Sequence, residues 1–273
     1  RQALEKARET VAQSLAVKPE EIIFTSGGTE ADNLALKGVA YLSGKGAGHI
    51  ITSSVEHHAV LSTCNFLQRE GFSVSILPVD DQGRVDPDEV RKTIRKDTVL
   101  ISVMSSNNET GVVQPIAEVG KIAREYGIIF HSDAIQSLGK IALNVHEQYI
   151  DMLSLSAHKI YGPKGIGVLY VNEDIQLVPQ NLGGHQEMNL RGGTENIPAI
   201  IGFAEAIKIA VNEIDIYTTN ISTLQKKMET EILKRIDHIA IHGSKADRLP
   251  HTTNIGFDAV EAESVLLHLD LRG

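Results

Sequence analysis

The stretch SLSAHKIYGPKG (154–165) places a lysine where an apolar run meets a turn. The residues before the lysine have the pattern of a buried strand, and a Gly-Pro-Lys-Gly turn follows at once. A lysine directly at the end of a buried strand is costly unless the protein uses its charge. Lys159 therefore either points into water from a loop or serves a ligand.

Apolar runs separated by helical patterns or polar turns occur along the first two thirds of the chain. They are apolar on both faces, so they predict an α/β fold with a mostly parallel sheet covered by helices on both sides. The predicted strands are EIIFTS (21–26), HIITSS (49–54), SVSILPV (73–79), TVLISVMSS (98–106), IIFHSDA (128–134), MLSLSA (152–157) and IGVLYV (166–171).

The pattern changes after about Ala210. A long helical stretch (211–236) is followed by two short apolar runs and another helical pattern, which is typical of a small α+β domain. We predict a large domain at 1–211 and part of a small domain at 212–273.

The composition indicates an acidic, soluble enzyme. The formal net charge of the 273 residues is -9, which argues against a nucleic-acid-binding surface. The one cysteine, Cys64, allows no internal disulfide, so we expect a cytoplasmic protein. No apolar run reaches the roughly twenty residues of a membrane span.

Two polar clusters follow the first two predicted strands. In TSGGTEADN (25–33), Gly28 lets the backbone approach a ligand and Thr29 offers a hydroxyl at a helix N-terminus, as in a phosphate cradle. In SVEHHAV (54–60), His57 could stack on a ring and move protons, or simply cap a helix. Ordinary turn and cap chemistry is the alternative for both clusters.

Two further clusters follow later strands. The asparagines of SSNNETG (105–111) either form a turn or place one amide, that of Asn108, against a ligand. In FHSDAIQS (130–137), Asp133 at a strand end needs a partner, with Gln136 nearby. A pyridinium nitrogen would serve, whereas no residue set has convincing metal-ligand spacing.

The cluster around Lys159 completes a possible cofactor site. Ser156 and His158 could bind phosphate, and Lys159 could bind a carbonyl compound covalently. Pyridoxal phosphate (PLP) needs a lysine, an acid at its ring nitrogen, a stacking group and a phosphate cup. In an open α/β sheet these groups meet beyond the carboxyl ends of the strands.

Taken together, six motifs resemble those of the NifS/IscS-type cysteine desulfurases, class V members of the fold type I PLP enzymes. The resemblance covers nearly the whole chain. The motifs are SGGTEADN, EHHAV, NNETG, HSDAIQS, SAHKIYGPKG and RGGTEN.

The resemblance implies a role for each site residue. Lys159 would bind PLP covalently and Asp133 would pair with its ring nitrogen. Gln136 and Asn108 would contact the cofactor oxygen and the substrate side, while His57 would stack on the ring and act as acid and base. The phosphate would be held by Thr29, Ser156 and His158, and by Thr194 of a neighbouring subunit in a homodimer.

The implied reaction removes sulfur from L-cysteine, gives alanine and leaves a persulfide for iron–sulfur assembly or tRNA thiolation through a sulfur-acceptor protein. Relative to the family pattern, we expect the N-terminal segment, the persulfide-cysteine loop and the substrate-carboxylate arginine to lie outside residues 1–273. Cys64 is expected to be a buried apolar residue, and Arg191 to form an ion pair. The alternatives are a selenocysteine lyase, another class V activity, or a non-catalytic dimeric scaffold.

Overall fold

A computed structural model describes residues 1–44 and 46–273. Its helices and strands alternate through most of the chain. The helices are α1 (Gln2–Leu15), α2 (Gly28–Ala40), α3 (His58–Arg69), α4 (Pro87–Thr93), α5 (Ile116–Tyr126), α6 (Ile197–Asn212), α7 (Ile214–Arg235) and α8 (Ala262–Asp270). The strands are β1 (Ile22–Thr25), β2 (His49–Ser53), β3 (Ser73–Leu77), β4 (Thr98–Ser102), β5 (Ile129–Asp133), β6 (Met152–Ser156), β7 (Gly167–Val171), β8 (Ile239–Ile241) and β9 (Ile255–Phe257).

The seven strands predicted from the apolar runs form one sheet in the order β1-β7-β6-β5-β4-β2-β3. The pairs β2/β3, β2/β4, β4/β5 and β5/β6 are parallel. Strand β7 runs antiparallel to its neighbours β6 and β1, so β1 points the same way as β6. The predicted mostly parallel sheet is therefore confirmed, and six of its strands end at the same edge.

Helices cover both faces of the sheet. Successive strand residues point to opposite sides, and in these strands both sides are apolar and need cover. Ile51 and Ile101 pack in one core with residues of α1, α4, α5 and α6. Their chain neighbours Ile50 and Leu100 pack in a second core with α2 and α3. This arrangement leaves the carboxyl ends of the parallel strands as the place where polar groups can meet.

The C-terminal part has a different character. The predicted long helix appears as α7, and β8 pairs with β9 in a separate two-stranded sheet. Helix α6, which the sequence patterns did not predict, precedes them. The boundary at 211/212 falls next to the end of α6 and stays a prediction. Within the described residues, no helix is long and apolar enough to cross a membrane.

Candidate active site

One cavity of about 310 Å³ lies at the carboxyl edge of the sheet. This volume falls at the lower end of the range for small-molecule sites. Eight of the ten predicted site residues line it, together with Met104 and Ile135, which the sequence analysis missed. The eight are Gly28, Thr29, His57, Asn108, Asp133, Gln136, His158 and Lys159.

Lys159 reaches this cavity from a position that differs from the prediction. Strand β6 ends at Ser156, and a short 3₁₀ helix (Ala157–Ile160) carries the lysine. Lys159 is exposed and lies in this helix, three residues beyond the end of the strand. The short helix lifts the charge out of the core while keeping it on the cavity wall.

Asp133 ends β5 and is buried, with 4% of its surface exposed. Its Oδ1 accepts a hydrogen bond from the Ile135 N–H at 2.9 Å. Burial raises the pKa of Asp133 to about 6, against the opposing effects of the Ile135 N–H and the charge of Lys159. A buried carboxyl that faces a cavity in this way favours a cationic ligand atom.

His57 borders the cavity at the start of α3. His57 caps α3, and its Nδ1 accepts a hydrogen bond from the Ala59 N–H at 3.1 Å. Because Nδ1 is an acceptor, the neutral ring carries its proton on Nε2. Burial, then the nearby His58 and Lys159, lower the pKa of His57. It is therefore neutral at pH 7 and able to accept a proton.

Ser156 does not line the cavity. Its Oγ lies 2.8 Å from Nδ1 of His158 and so orients that ring. The pKa of His158 is lowered by partial burial and by the charges of Lys159 and Lys164. Ser156 thus acts on the cavity through His158 in this structure.

The two asparagines after β4 divide the roles that the sequence left open. The buried Asn107 forms the turn: its side chain donates to the Val55 carbonyl at 2.9 Å and accepts from the N–H groups of Glu109 and Thr110. Asn108 instead lines the cavity. The turn reading is therefore confirmed for Asn107, and ligand contact by Asn108 stays a prediction.

Thr194 lies apart from the Lys159 cavity. It is exposed and lines a second cavity of about 190 Å³ with Ser26 and Arg191. The predicted ion pair of Arg191 is confirmed, since its Nε donates to Glu30 at 2.8 Å. Thr194 does not contribute to the cavity of its own chain.

The cavity suits PLP by its own contacts. Asp133 offers a carboxyl for a ring nitrogen, and Lys159 offers an amine. A Cβ on Gly28 would lie 1.9 Å from Cδ1 of Ile135, so a larger residue would clash with a side chain that lines the cavity. Gly28 and Thr29 also begin α2, whose N-terminal N–H groups favour a phosphate.

Two residues near the cavity escaped the sequence analysis for a common reason. Met104 and Ile135 are apolar residues just beyond strand ends, where their pattern is that of core residues. Larger cavities occur elsewhere, including one of about 590 Å³ beside α1, but they lack this set of chemical groups. The combination of residues, not the volume, identifies the site.

The sheet order and the lysine–aspartate cavity define a PLP-dependent enzyme of the aminotransferase class. The model of the class V aminotransferase family matches residues 1–273. The chain belongs to this family and, within it, to the NifS/IscS-type cysteine desulfurases.

The relatives support this assignment over the whole chain. Cysteine desulfurase IscS of Dictyoglomus turgidum is 52% identical over 274 residues, covering all of this chain and 69% of the relative. Cysteine desulfurase IscS of Methanosarcina thermophila is 45% identical, covering 99% of this chain and 67% of the relative.

Solved structures agree. A NifS-like protein superposes with a TM-score of 0.96 at 38% identity, covering all of this chain and 74% of that one. SspA in complex with cysteine superposes with a TM-score of 0.86 at 39% identity, covering all of this chain and 75% of that one.

Proposed function

We propose that this protein uses PLP to remove sulfur from L-cysteine and leaves alanine. The observation that carries the proposal is the single cavity that brings Lys159, Asp133 and His57 together. Relatives named cysteine desulfurase IscS and a structural neighbour in complex with cysteine support the choice of substrate.

Each side chain has a task that its position suits. Bound PLP supplies an electron sink for negative charge on the substrate carbon. Lys159 would hold the cofactor through its amine, and the same amine could accept a proton from the substrate carbon. Asp133, a buried residue of the cavity lining, would keep the ring nitrogen positively charged.

His57 and two amides serve the other side of the cavity. The neutral His57 accepts a proton near pH 7, which is the requirement for a general base. Asn108 and Gln136 line the same cavity and can donate hydrogen bonds to cofactor and substrate oxygens. These contacts orient the substrate and hold it in place.

The sulfur leaves when the Cβ–S bond of L-cysteine breaks and a new S–S bond forms with a thiolate. The carbon skeleton takes up a proton and leaves as alanine. Cys64 is unsuited to receive the sulfur: it is buried in α3, and burial raises the pKa of its thiol to about 12. The thiolate in this proposal comes from outside residues 1–273.

We also propose a homodimer in which Thr194 completes the phosphate site of the neighbouring subunit. Thr194 is exposed and lies away from the cavity of its own chain, which leaves its hydroxyl free for a second copy. A sulfur-acceptor protein in iron–sulfur assembly or tRNA thiolation, and a cytoplasmic location, complete the proposal.

Two measurements test the function. The visible absorbance band of lysine-bound PLP should form with the wild type and disappear in Lys159→Ala. With an added small thiol to accept sulfur, the wild type should release alanine and sulfide from L-cysteine in equal amounts. Lys164→Ala is the matched control, since this exposed lysine lies in the same segment but outside the cavity.

The outcomes separate the alternatives. Equal rates for Lys159→Ala and wild type, or a band without any product, would remove the desulfurase proposal and favour a scaffold. A much higher kcat/KM for L-selenocysteine than for L-cysteine would favour a selenocysteine lyase instead.

A further inference from the structure

A second carboxyl group near Asp133, that of Asp32, lies in the interior of the protein. Asp32 on α2 is fully buried, and neither of its oxygens has a hydrogen-bond partner among the described residues. Its Oδ1 lies 3.6 Å from Nε2 of His131. The chemistry assigned to the cavity does not use Asp32, so its burial needs a separate explanation.

His131 cannot provide a counterion for Asp32. The ring is fully buried between two serines, with Nδ1 2.9 Å from Ser102 Oγ and Nε2 2.9 Å from Ser154 Oγ. Burial lowers the pKa of His131 to about 3. The ring is therefore neutral at physiological pH, and the 3.6 Å contact is not an ion pair.

Among residues 1–44 and 46–273, the other ionisable groups that act on Asp32 are acids. Asp133 on β5 and Glu56 after β2 both disfavour a negative charge on Asp32. Glu56 has one oxygen without a partner, and burial raises its pKa to about 8. Burial first, then the charges of Asp133 and Glu56, raise the pKa of Asp32 well above its usual value. The nearby Ser154 hydroxyl opposes this rise, but it is paired with His131 Nε2 at 2.9 Å and does not meet the geometry of a hydrogen bond to Asp32.

Glu187 shows how this fold surrounds another buried carboxyl group with donors. It accepts two hydrogen bonds from Arg8, at 2.7 and 2.9 Å, and one from the Phe24 N–H at 2.8 Å. Asp32 has none of these contacts. An unpaired buried charge is far more costly than a buried neutral acid.

We propose that Asp32 carries a proton at neutral pH and therefore adds no second negative charge near Asp133. The ring nitrogen of bound PLP would then face one negative charge, that of Asp133. The link to the cofactor rests on the proposed function, whereas the protonation of Asp32 is testable without it.

The first test follows stability against pH. An acid with a raised pKa in the folded state favours folding at low pH, and that advantage is lost as pH rises above about 4, where the unfolded chain ionises. We expect the unfolding constant of the wild type, relative to Asp32→Asn, to rise by up to about tenfold per pH unit in urea titrations from pH 4.5 upward. A flat ratio, or one that falls with pH, would overturn the proposal.

Glu187→Gln is the matched control, because it changes a buried carboxylate that has an arginine partner. It should not gain stability over the wild type as pH rises. If Asp32→Asn does not fold, Asp32→Leu supplies a neutral side chain of similar size for the same titration.

The second test reads the proton directly. The infrared difference spectrum of wild type minus Asp32→Asn at pH 7 should contain the carbonyl band of a protonated carboxylic acid. Glu187→Gln should remove carboxylate bands only. If Asp32→Asn also removes only carboxylate bands, Asp32 is ionised and the proposal fails.

The third test reads the effect on the cofactor. In the PLP-loaded protein, the pH midpoint of the absorbance band should differ by less than about 0.3 unit between wild type and Asp32→Asn. If Asp32 were charged, its replacement would shift this midpoint by roughly one unit or more, which would overturn the proposal. If PLP does not bind at all, the proposed function fails while the first two tests still decide the state of Asp32.

Discussion

The two parts of the molecule that join near residue 212 have very different interiors. Residues 2–212 form the sheet with two buried cores, and the cavity lies at its edge. By contrast, α7 and α8, both fully described, contain no buried residue. Buried apolar packing therefore stabilises the first part much more than it stabilises α7 and α8.

The second part is attached to the first mainly through one segment. Leu249 is fully buried, and its N–H donates to the Gly111 carbonyl at 2.8 Å, while the Val113 N–H donates to Asp247. Lys140 also lies over the ring of Tyr217 on α7, at 3.9 Å. The contrast predicts that substitutions in the two parts differ strongly in their effects.

The largest expected effect on stability comes from the core of the first part. Phe203 on α6 is fully buried in the core with α1 and the sheet. Phe203→Ala should lower the free energy of unfolding by about 3–5 kcal/mol, because it leaves a cavity. Urea unfolding of the wild type and the variant measures this, and a loss below about 1 kcal/mol would mean that the core is loosely packed.

Asp133→Asn tests the electrostatics of the same part. The loss of the carboxylate should lower kcat on the order of 10²–10³-fold, as for other preorganised charge-stabilising groups. Since the pKa of Asp133 is about 6, the wild type should lose PLP affinity as pH falls through 6 and protonates the carboxyl. Affinity measured by absorbance titration between pH 5 and 8 checks the sign.

Asp151→Asn is the control for that experiment. Asp151 also interacts with β5, accepting from the Phe130 N–H at 2.8 Å, but it lies outside the Lys159 cavity. The acid loss of PLP affinity should persist in Asp151→Asn and vanish in Asp133→Asn. The same acid loss in both variants would assign the titration to another group.

Gly167→Ala probes the contact between β7 and the loop before α2. A Cβ at this position would lie 2.6 Å from the Gly27 carbonyl carbon and 2.7 Å from the Leu155 carbonyl oxygen. Both are backbone atoms, so the strand has to move at a cost of about 1–3 kcal/mol. Urea unfolding should show this loss, and a neutral result would mean that the backbone there adjusts freely.

The smallest effect is expected on α7. Leu224 is 60% exposed, so Leu224→Ala should change the free energy of unfolding by no more than about 0.5 kcal/mol. The measurement is the same urea titration. A loss as large as that of Phe203→Ala would show that α7 is covered by a partner in solution and would erase the contrast between the two parts.

The sequence predicted the sheet well because buried parallel strands have a simple signature. Each of the seven apolar runs became a strand, and the polar residues that follow them met at one edge, as strand direction requires. The family resemblance supplied the roles that position alone left open, such as the choice between turn and ligand contact for Asn108.

Other features depend on contacts between distant parts of the chain. In the sequence, Asp32 looks like an ordinary polar residue of a helix. Only the packing of α2 against β5 and β6 brings it close to His131. The exposure of Lys159 depends on the short helix after β6, which the motif does not reveal. Neither feature has a local signature.

The buried thiol of Cys64 can report the opening of α3. Cys64 is the one thiol in the sequence, and it lies fully buried in α3 beneath the sheet. A thiol-labelling reagent can therefore react only when α3 opens, and its rate measures that opening. Labelling with and without PLP would show whether filling the cavity at the start of α3 tightens the helix against the sheet.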